Sequence, residues 1–231
     1  SAFDQDADRL FDWLSAFRDW EGMMRGANEF RLSGIKNAHK TFGFTPPVPM
    51  RQRYGASVSR FTLKYPGVMM LLESLAGACA RTFAQEMPDA YETHMEAVSA
   101  LNPVWLMGGG TVPWTSGIIN RTASLPYHKD ASNIKGSMSA MIVLRAPFDG
   151  GMLHVPSLDL LLPCRHRSIS IFDGCHHLHG TTPLSRRGTA ERFSIVFYAK
   201  REFLNDGLPG EELRRAQLRA TKAAEEAAAR G

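Results

Sequence analysis

The sequence predicts an α+β domain whose helices come first and whose second half is a sandwich or small barrel. Three observations carry this. An amphipathic helical pattern opens the chain, short β-like runs with turns between them begin near Trp105, and no internal repeat runs through the 231 residues. Hydrophobic residues make up 44% and charged residues 22%, which excludes a disordered chain short of apolar side chains. The 20 Gly and 13 Pro follow no fixed period, which excludes a collagen-like rod or coiled coil. The three cysteines, Cys79, Cys164 and Cys175, contain no Cys-x-x-Cys pair, so neither a disulfide scaffold nor a four-cysteine zinc site is expected.

The elements follow in order. Phe3, Leu10, Phe11, Leu14, Phe17 and Met24 fall largely on one helical face, with Asp and Arg between them. A Pro-rich loop is expected over Phe42–Arg51, because its three prolines donate no backbone hydrogen bonds. A buried helix follows over Val68–Met87, stopped by Pro88, and a shorter one over Asp89–Ser99. The apolar run Val68–Ala80 is interrupted by Glu73 and is too short to span a bilayer. Strands are expected over Trp114–Asn120, Ser137–Arg145, Gly151–Val155, Asp159–Leu162, Ser168–Phe172 and Arg192–Lys200. The chain divides into a helical segment over 1–32, a main domain over 33–205 and an Ala-, Glu- and Arg-rich helical tail over 206–231. No basic-then-apolar leader opens it, so a cytoplasmic or nucleoid location and a monomer are expected.

Two of the eight histidines sit in a His-x-acid pattern, His94-Met-Glu96 and His128-Lys-Asp130. On a strand, residues i and i+2 project to one face and can grip one ion. On a helix the same spacing separates them by about 200°. His94 falls in a helical segment, whereas His128 and Asp130 follow Pro126, where extended backbone is favoured. Two histidines and one carboxylate on three corners of an octahedron leave three positions open, the arrangement used by non-haem Fe(II) oxygenases. The candidates for the second histidine are His154, His166, His176, His177 and His179. His179 follows the strand at Ser168–Phe172, and Gly180 after it would let the chain turn away from the ion. Arg192 and Ser194 share a face of the last strand, where an Arg fork can hold a dicarboxylate's far end and the Ser hydroxyl can assist.

The segments Tyr127-His-Lys-Asp-Ala-Ser-Asn133, Gly150-Gly-Met-Leu-His-Val-Pro156, Phe172-Asp-Gly174, His179-Gly-Thr-Thr-Pro183 and Arg192-Phe-Ser194 together resemble the TET/JBP dioxygenases. Thr41–Arg51 is also similar to a loop of the JBP-like branch. The resemblance covers roughly residues 33 to 200 and is strongest to compact phage and bacterial members. It implies a double-stranded β-helix flanked by N-terminal helices, with Fe(II), 2-oxoglutarate and O2 as cofactor and co-substrates. It implies His128, Asp130 and His179 as iron ligands, Arg192 and Ser194 as the 2-oxoglutarate clamp, and Asn133 beside the substrate base. The implied reaction is hydroxylation of the C5 methyl of a pyrimidine in double-stranded DNA, with 5-methylcytosine favoured over thymine.

A methyl group inside a duplex cannot reach a buried metal, so the base must be flipped out at a cost of roughly a few kcal/mol. Arg51, Arg53, Arg60, Arg121, Lys129, Lys135, Arg186 and Arg187 are the candidate phosphate contacts, and Tyr127, Trp114 and Tyr54 the candidate stacking groups. Two rival readings stand beside this one. The first is a 2-oxoglutarate oxygenase acting on a protein, a small molecule or an alkylated base. The second is a non-catalytic DNA-binding β-domain. The charge bears on the partner. Residues 1–30 hold three basic and seven acidic groups (−4), and residues 31–231 hold 24 and 16 (+8). An acidic helix packed on the far side would leave a positive field at the site mouth.

Overall fold

The computed structural model describes residues 1–20, 38–47, 55–121, 124–146, 149–185 and 191–205. The expected tail over 206–231, and Arg51, Arg53, Tyr54, Arg186 and Arg187, lie outside the described residues.

Helix α1 spans Ala2–Ala16 and starts at a capping box, in which Ser1 Oγ accepts from Asp4 N and the Asp4 side chain accepts from the N-cap backbone. After a short α2 (Arg60–Lys64), helices α3 (Pro66–Glu86) and α4 (Pro88–Val98) each take Pro at the first turn, where a missing N–H costs nothing. At 21 residues, α3 is long and apolar enough by composition to cross a membrane. It is packed as a core helix, burying Val68, Leu72, Leu75, Ala76, Cys79 and Phe83.

The described residues hold eleven strands, the first two between α1 and α2 and the rest after α4: β1 (Ala38–Thr45), β2 (Ser57–Val58), β3 (Ser116–Arg121), β4 (Ser139–Arg145), β5 (Asp149–Gly150), β6 (Leu153–Val155), β7 (Leu160–Leu162), β8 (Ser168–Phe172), β9 (Gly180–Thr181), β10 (Leu184–Ser185) and β11 (Arg192–Tyr198). They form a six-stranded antiparallel sheet ordered β2-β1-β3-β11-β4-β8, a three-stranded sheet β7-β6-β9 and a two-stranded ladder β10-β5. The large sheet works on both faces. Ile119, Ala140, Ile142, Leu144, Phe193, Ile195 and Phe197 pack against α1 and α3 in the main core. Met141, Val143, Val196 and Phe172 face the other way, onto Leu153, Val155, Leu162 and Cys164 of the small-sheet side. Each such large apolar side chain contributes about 1.5–3 kcal/mol by leaving water. The result is an α+β chain with a double-stranded β-helix core flanked by N-terminal helices. Among the described residues the sheets stay separate and no barrel closes.

β1 corrects the expected loop at Phe42. The prolines begin only at Pro46, and β1 pairs with β3 from Ala38↔Arg121 to Gly43↔Ser116 and with β2 through Phe44 and Thr45. Gly117 allows this. A Cβ there would lie 2.1 Å from Phe42 Cζ, so the ring of Phe42 fills the space a side chain would take. The remaining expected strands are present with boundaries moved by a few residues.

Candidate metal and co-substrate site

His128 and His179 form an isolated antiparallel bridge, with His128 N donating to His179 O at 2.9 Å and the reverse bond at 3.0 Å. Asp130 is held by its N–H on Gly174 O at 2.9 Å. These backbone bonds bring two chain segments, 128–130 and 174–179, to one point. The ligand atoms of His128, Asp130 and His179 all lie within 4.8 Å of one another. His128 Nε2 is 3.6 Å from Asp130 Oδ1, and His179 Nε2 is 3.9 Å from Asp130 Oδ2.

The imidazoles are oriented from behind. His128 Nδ1 bonds Pro126 O at 2.8 Å and His179 Nδ1 bonds His177 O at 3.0 Å. A carbonyl only accepts, so each Nδ1 carries the proton and each Nε2 presents a lone pair toward the carboxylate. Burial pushes the His179 pKa down, which keeps that lone pair available. Phe172 packs edge-on against His179 with ring centroids 4.9 Å apart. Gly174 leaves the room: a Cβ there would stand 2.5 Å from Asp130 Oδ2 and 3.3 Å from His179 Cε1. Three donors of this type, with their ligand atoms this close together, fit a divalent iron.

Strand β11 supplies the second element. By strand alternation Arg192, Ser194, Val196 and Tyr198 share the face opposite Phe193, Ile195 and Phe197. Arg192 is only 1% exposed. Its Nη2 donates to Gly151 O at 3.1 Å, while Nε and Nη1 find no partner among the described residues. Burial lowers its pKa. A buried guanidinium with unfilled donors is costly unless an anion takes them, and the carboxylate of a dicarboxylate co-substrate meets that need. Gly151 keeps the approach clear, since a Cβ there would stand 3.0 Å from Arg192 Nε.

Residues 47–201 match the oxygenase domain of the 2OGFeDO superfamily, Tet_JBP. The chain belongs to that family. The protein is thus a 2-oxoglutarate-dependent dioxygenase whose cofactor and co-substrates are Fe(II), 2-oxoglutarate and O2. Among solved structures it is similar to NgTET1 in complex with 5mC DNA, at 13% identity and a TM-score of 0.57 over 86% of this chain and 70% of that one. It is also similar to the viral collagen prolyl hydroxylase of Paramecium Bursaria Chlorella virus-1, in its 2OG complex, at 13% identity and a TM-score of 0.44 over 83% and 90%. A third match is a 2OG-Fe(II) oxygenase-family oxidoreductase from Burkholderia pseudomallei, at 21% identity and a TM-score of 0.32 over 41% and 44%. Among curated proteins, none matches by sequence.

Other site expectations on the dioxygenase meet a different outcome. Asn133, expected at the base, is 4% exposed and sits behind the metal group. Its Nδ2 donates to Ser139 Oγ at 3.1 Å and to Asp130 Oδ2 at 3.4 Å, so its amide N–H groups are taken up by the protein. Tyr127, 53% exposed, turns away from His128 because neighbouring extended residues alternate. Its ring covers Gly180, and its hydroxyl bonds His154 Nδ1 at 2.5 Å on the outer face of the small sheet. Arg121 is committed to a bidentate pair with Glu191, at 2.9 and 2.5 Å, and is not a free phosphate contact. Trp114 is wholly buried, donating Nε1–H to Met138 O, and is not a stacking group. Gly180 lies in β9, where it permits the close approach of Tyr127 and Leu125 rather than a turn. His94 is a buried structural histidine that accepts from Met138 N at Nδ1 and bonds Pro113 O through Nε2. Gly174 was missed as a site residue, although its neighbourhood to Phe172 and Asp173 in the motif offered a signal.

Proposed function

We propose that the dioxygenase hydroxylates the C5 methyl group of a flipped pyrimidine in double-stranded DNA, with 5-methylcytosine favoured over thymine. The observation that carries the reading is the Tet_JBP match over residues 47–201. The parallel fold of a protein solved with 5mC DNA supports the choice of base.

In this reading His128, Asp130 and His179 hold Fe(II), and Arg192 with Ser194 holds the far carboxylate of 2-oxoglutarate. The bound iron and co-substrate supply the oxidising power for C–H hydroxylation, with 2-oxoglutarate leaving as succinate and carbon dioxide. The chain's own residues do the rest. Pro126 O and His177 O fix the imidazole tautomers. Asn133 and Ser139 brace the Asp130 carboxylate from behind. Phe172 excludes water from one side of His179. Arg192 fixes where the co-substrate ends and therefore where its reactive end lies.

The test is incubation of the purified protein with Fe(II), 2-oxoglutarate and two duplexes, one carrying 5-methylcytosine and one only thymine, followed by nucleoside mass spectrometry. The expected product is 5-hydroxymethylcytosine. Hydroxymethyluracil alone reverses the base preference. No modified nucleoside from either duplex, with succinate still formed, removes DNA as the substrate.

A further inference from the structure

The loop that carries Asp130 runs antiparallel to the chain leaving β11. Ile134 N donates to Ala199 O at 2.9 Å, Asn133 and Lys200 form an isolated bridge, and Arg201 N donates to Ser132 O at 3.1 Å. This pairing collects four cations beside the metal group: Lys129, Lys135, Lys200 and Arg201. Strand alternation explains the first. The period that turns His128 and Asp130 inward turns Lys129 out, and it is exposed, as are Lys135 and Arg201. None of the four has an ion-pair partner among the described residues. Several cations elsewhere are matched: Arg121 pairs with Glu191, Arg167 with Asp4 and Asp8, and Lys40 and Lys64 with Asp19.

Lys200 is the most ordered of the group. Its Nζ donates to Ser132 Oγ at 3.0 Å and stands 5.2 Å from the Tyr198 ring centroid. An ammonium has three donors. One is spent on Ser132, which fixes the charge in place and leaves two for an outside acceptor. A cation held this way loses little side-chain entropy when it meets a phosphate.

We infer that Lys129, Lys135, Lys200 and Arg201 form a rail that holds the sugar–phosphate backbone of the duplex next to the metal group. The inference rests on the DNA reading above, and names the surface through which the substrate is held. Four positive charges along a paired loop and strand end, one of them held in place, match a backbone that carries regularly spaced negative charge. The contacts carry no base preference. They set register and offset part of the cost of extruding the base.

The test compares two charge-matched triple variants of the full chain by fluorescence anisotropy on an unmodified duplex, across salt from roughly 50 to 200 mM. K129A/K135A/R201A removes three rail cations, and R9A/K64A/R81A removes three from the helix layer. The rail variant is expected to lose about tenfold or more in affinity, with the slope of log K on log salt reduced by about 2 to 3. The helix-layer variant is expected to change less than about twofold, since its net charge falls equally but on the helix layer rather than beside the metal group. Lys200→Met, checked for an unchanged thermal melt, is expected to lower the slope by about 1.

Equal losses in the two triple variants, or none in the rail variant, overturn the rail while leaving the DNA reading intact if the mass spectrum shows a hydroxymethylated base. A wild-type protein that binds no duplex and modifies no base overturns both.

Discussion

Strand β11 turns Phe193, Ile195 and Phe197 toward the helices and Arg192, Ser194 and Tyr198 toward the other side, so one seven-residue strand serves two environments. The first face is an ordinary core, where apolar area leaves water and side chains interlock with α1 and α3. The second buries groups that gain nothing from burial alone. Two Arg192 nitrogens have no partner among the described residues, and the Tyr198 hydroxyl is pushed to a raised pKa chiefly by desolvation, with the Asp130 charge adding to it. The helix face stabilises the sheet, and the opposite face draws on that stability to hold polar groups ready for a ligand.

Substitutions on the two faces separate these roles. Phe193→Ala is expected to cost about 3–5 kcal/mol of stability, read from denaturant unfolding, while the protein that remains folded keeps its metal affinity. Arg192→Met is expected to do the reverse. The apparent affinity for 2-oxoglutarate falls at least about 100-fold, as lost charge-assisted bonds imply, while the melting temperature holds or rises because an uncompensated buried cation is gone. A stability loss at Arg192→Met comparable to that at Phe193→Ala would erase the distinction between the faces.

The metal group offers a finer contrast. Gly174→Ala places a Cβ against Asp130 Oδ2 and is expected to lower Fe(II) or Co(II) affinity by about 10–100-fold in a direct titration, a change of the size seen when groups around a ligand set are disturbed. Asn133→Ala is expected to lower it by less, about tenfold, since its longer bond to Asp130 is backed by the bond to Ser139. The smallest effect is in pH. Burial lowers the pKa of His94 below its ordinary value, so the unfolded chain binds the proton more readily. Stability contributed by neutral His94 is present above the unfolded pKa near 6.5 and is lost as pH falls below it. The melting temperature is expected to drop between about pH 7.5 and 5.5, and His94→Gln to flatten part of that slope.

What the sequence revealed followed from period. His128 and Asp130 two apart, Arg192 and Ser194 two apart, and the placement of His94 on a helix all reduce to which way neighbouring side chains point. The same rule, carried one residue further, would have put Tyr127 on the outer face, opposite His128. Partners were not legible. Nothing local shows that Glu191 takes Arg121, because that contact joins residues 70 positions apart in the chain, and the turn that brings Ser139 behind Asn133 six residues earlier follows no helix or strand period. β1 was hidden for another reason: its Phe42 is accommodated by the missing side chain of Gly117 on a different strand. Gly174 belongs to the same class, a residue whose role is the space it leaves.

The charge pattern now has a place in the fold. The acidic helix α1 packs against the face of the sheet opposite Arg192, with Asp4 and Asp8 taken up by Arg167. Lys129, Lys135, Lys200 and Arg201, which have no ion-pair partner among the described residues, lie on the loop that carries Asp130 and at the end of β11.

The most direct measurement is the stoichiometry of products formed on a 5-methylcytosine duplex by the wild-type protein and by Asp130→Ala. The account predicts one 5-hydroxymethylcytosine for each succinate in the wild type and neither product in the variant. Succinate without a modified base, or a modified base that persists in Asp130→Ala, would contradict it.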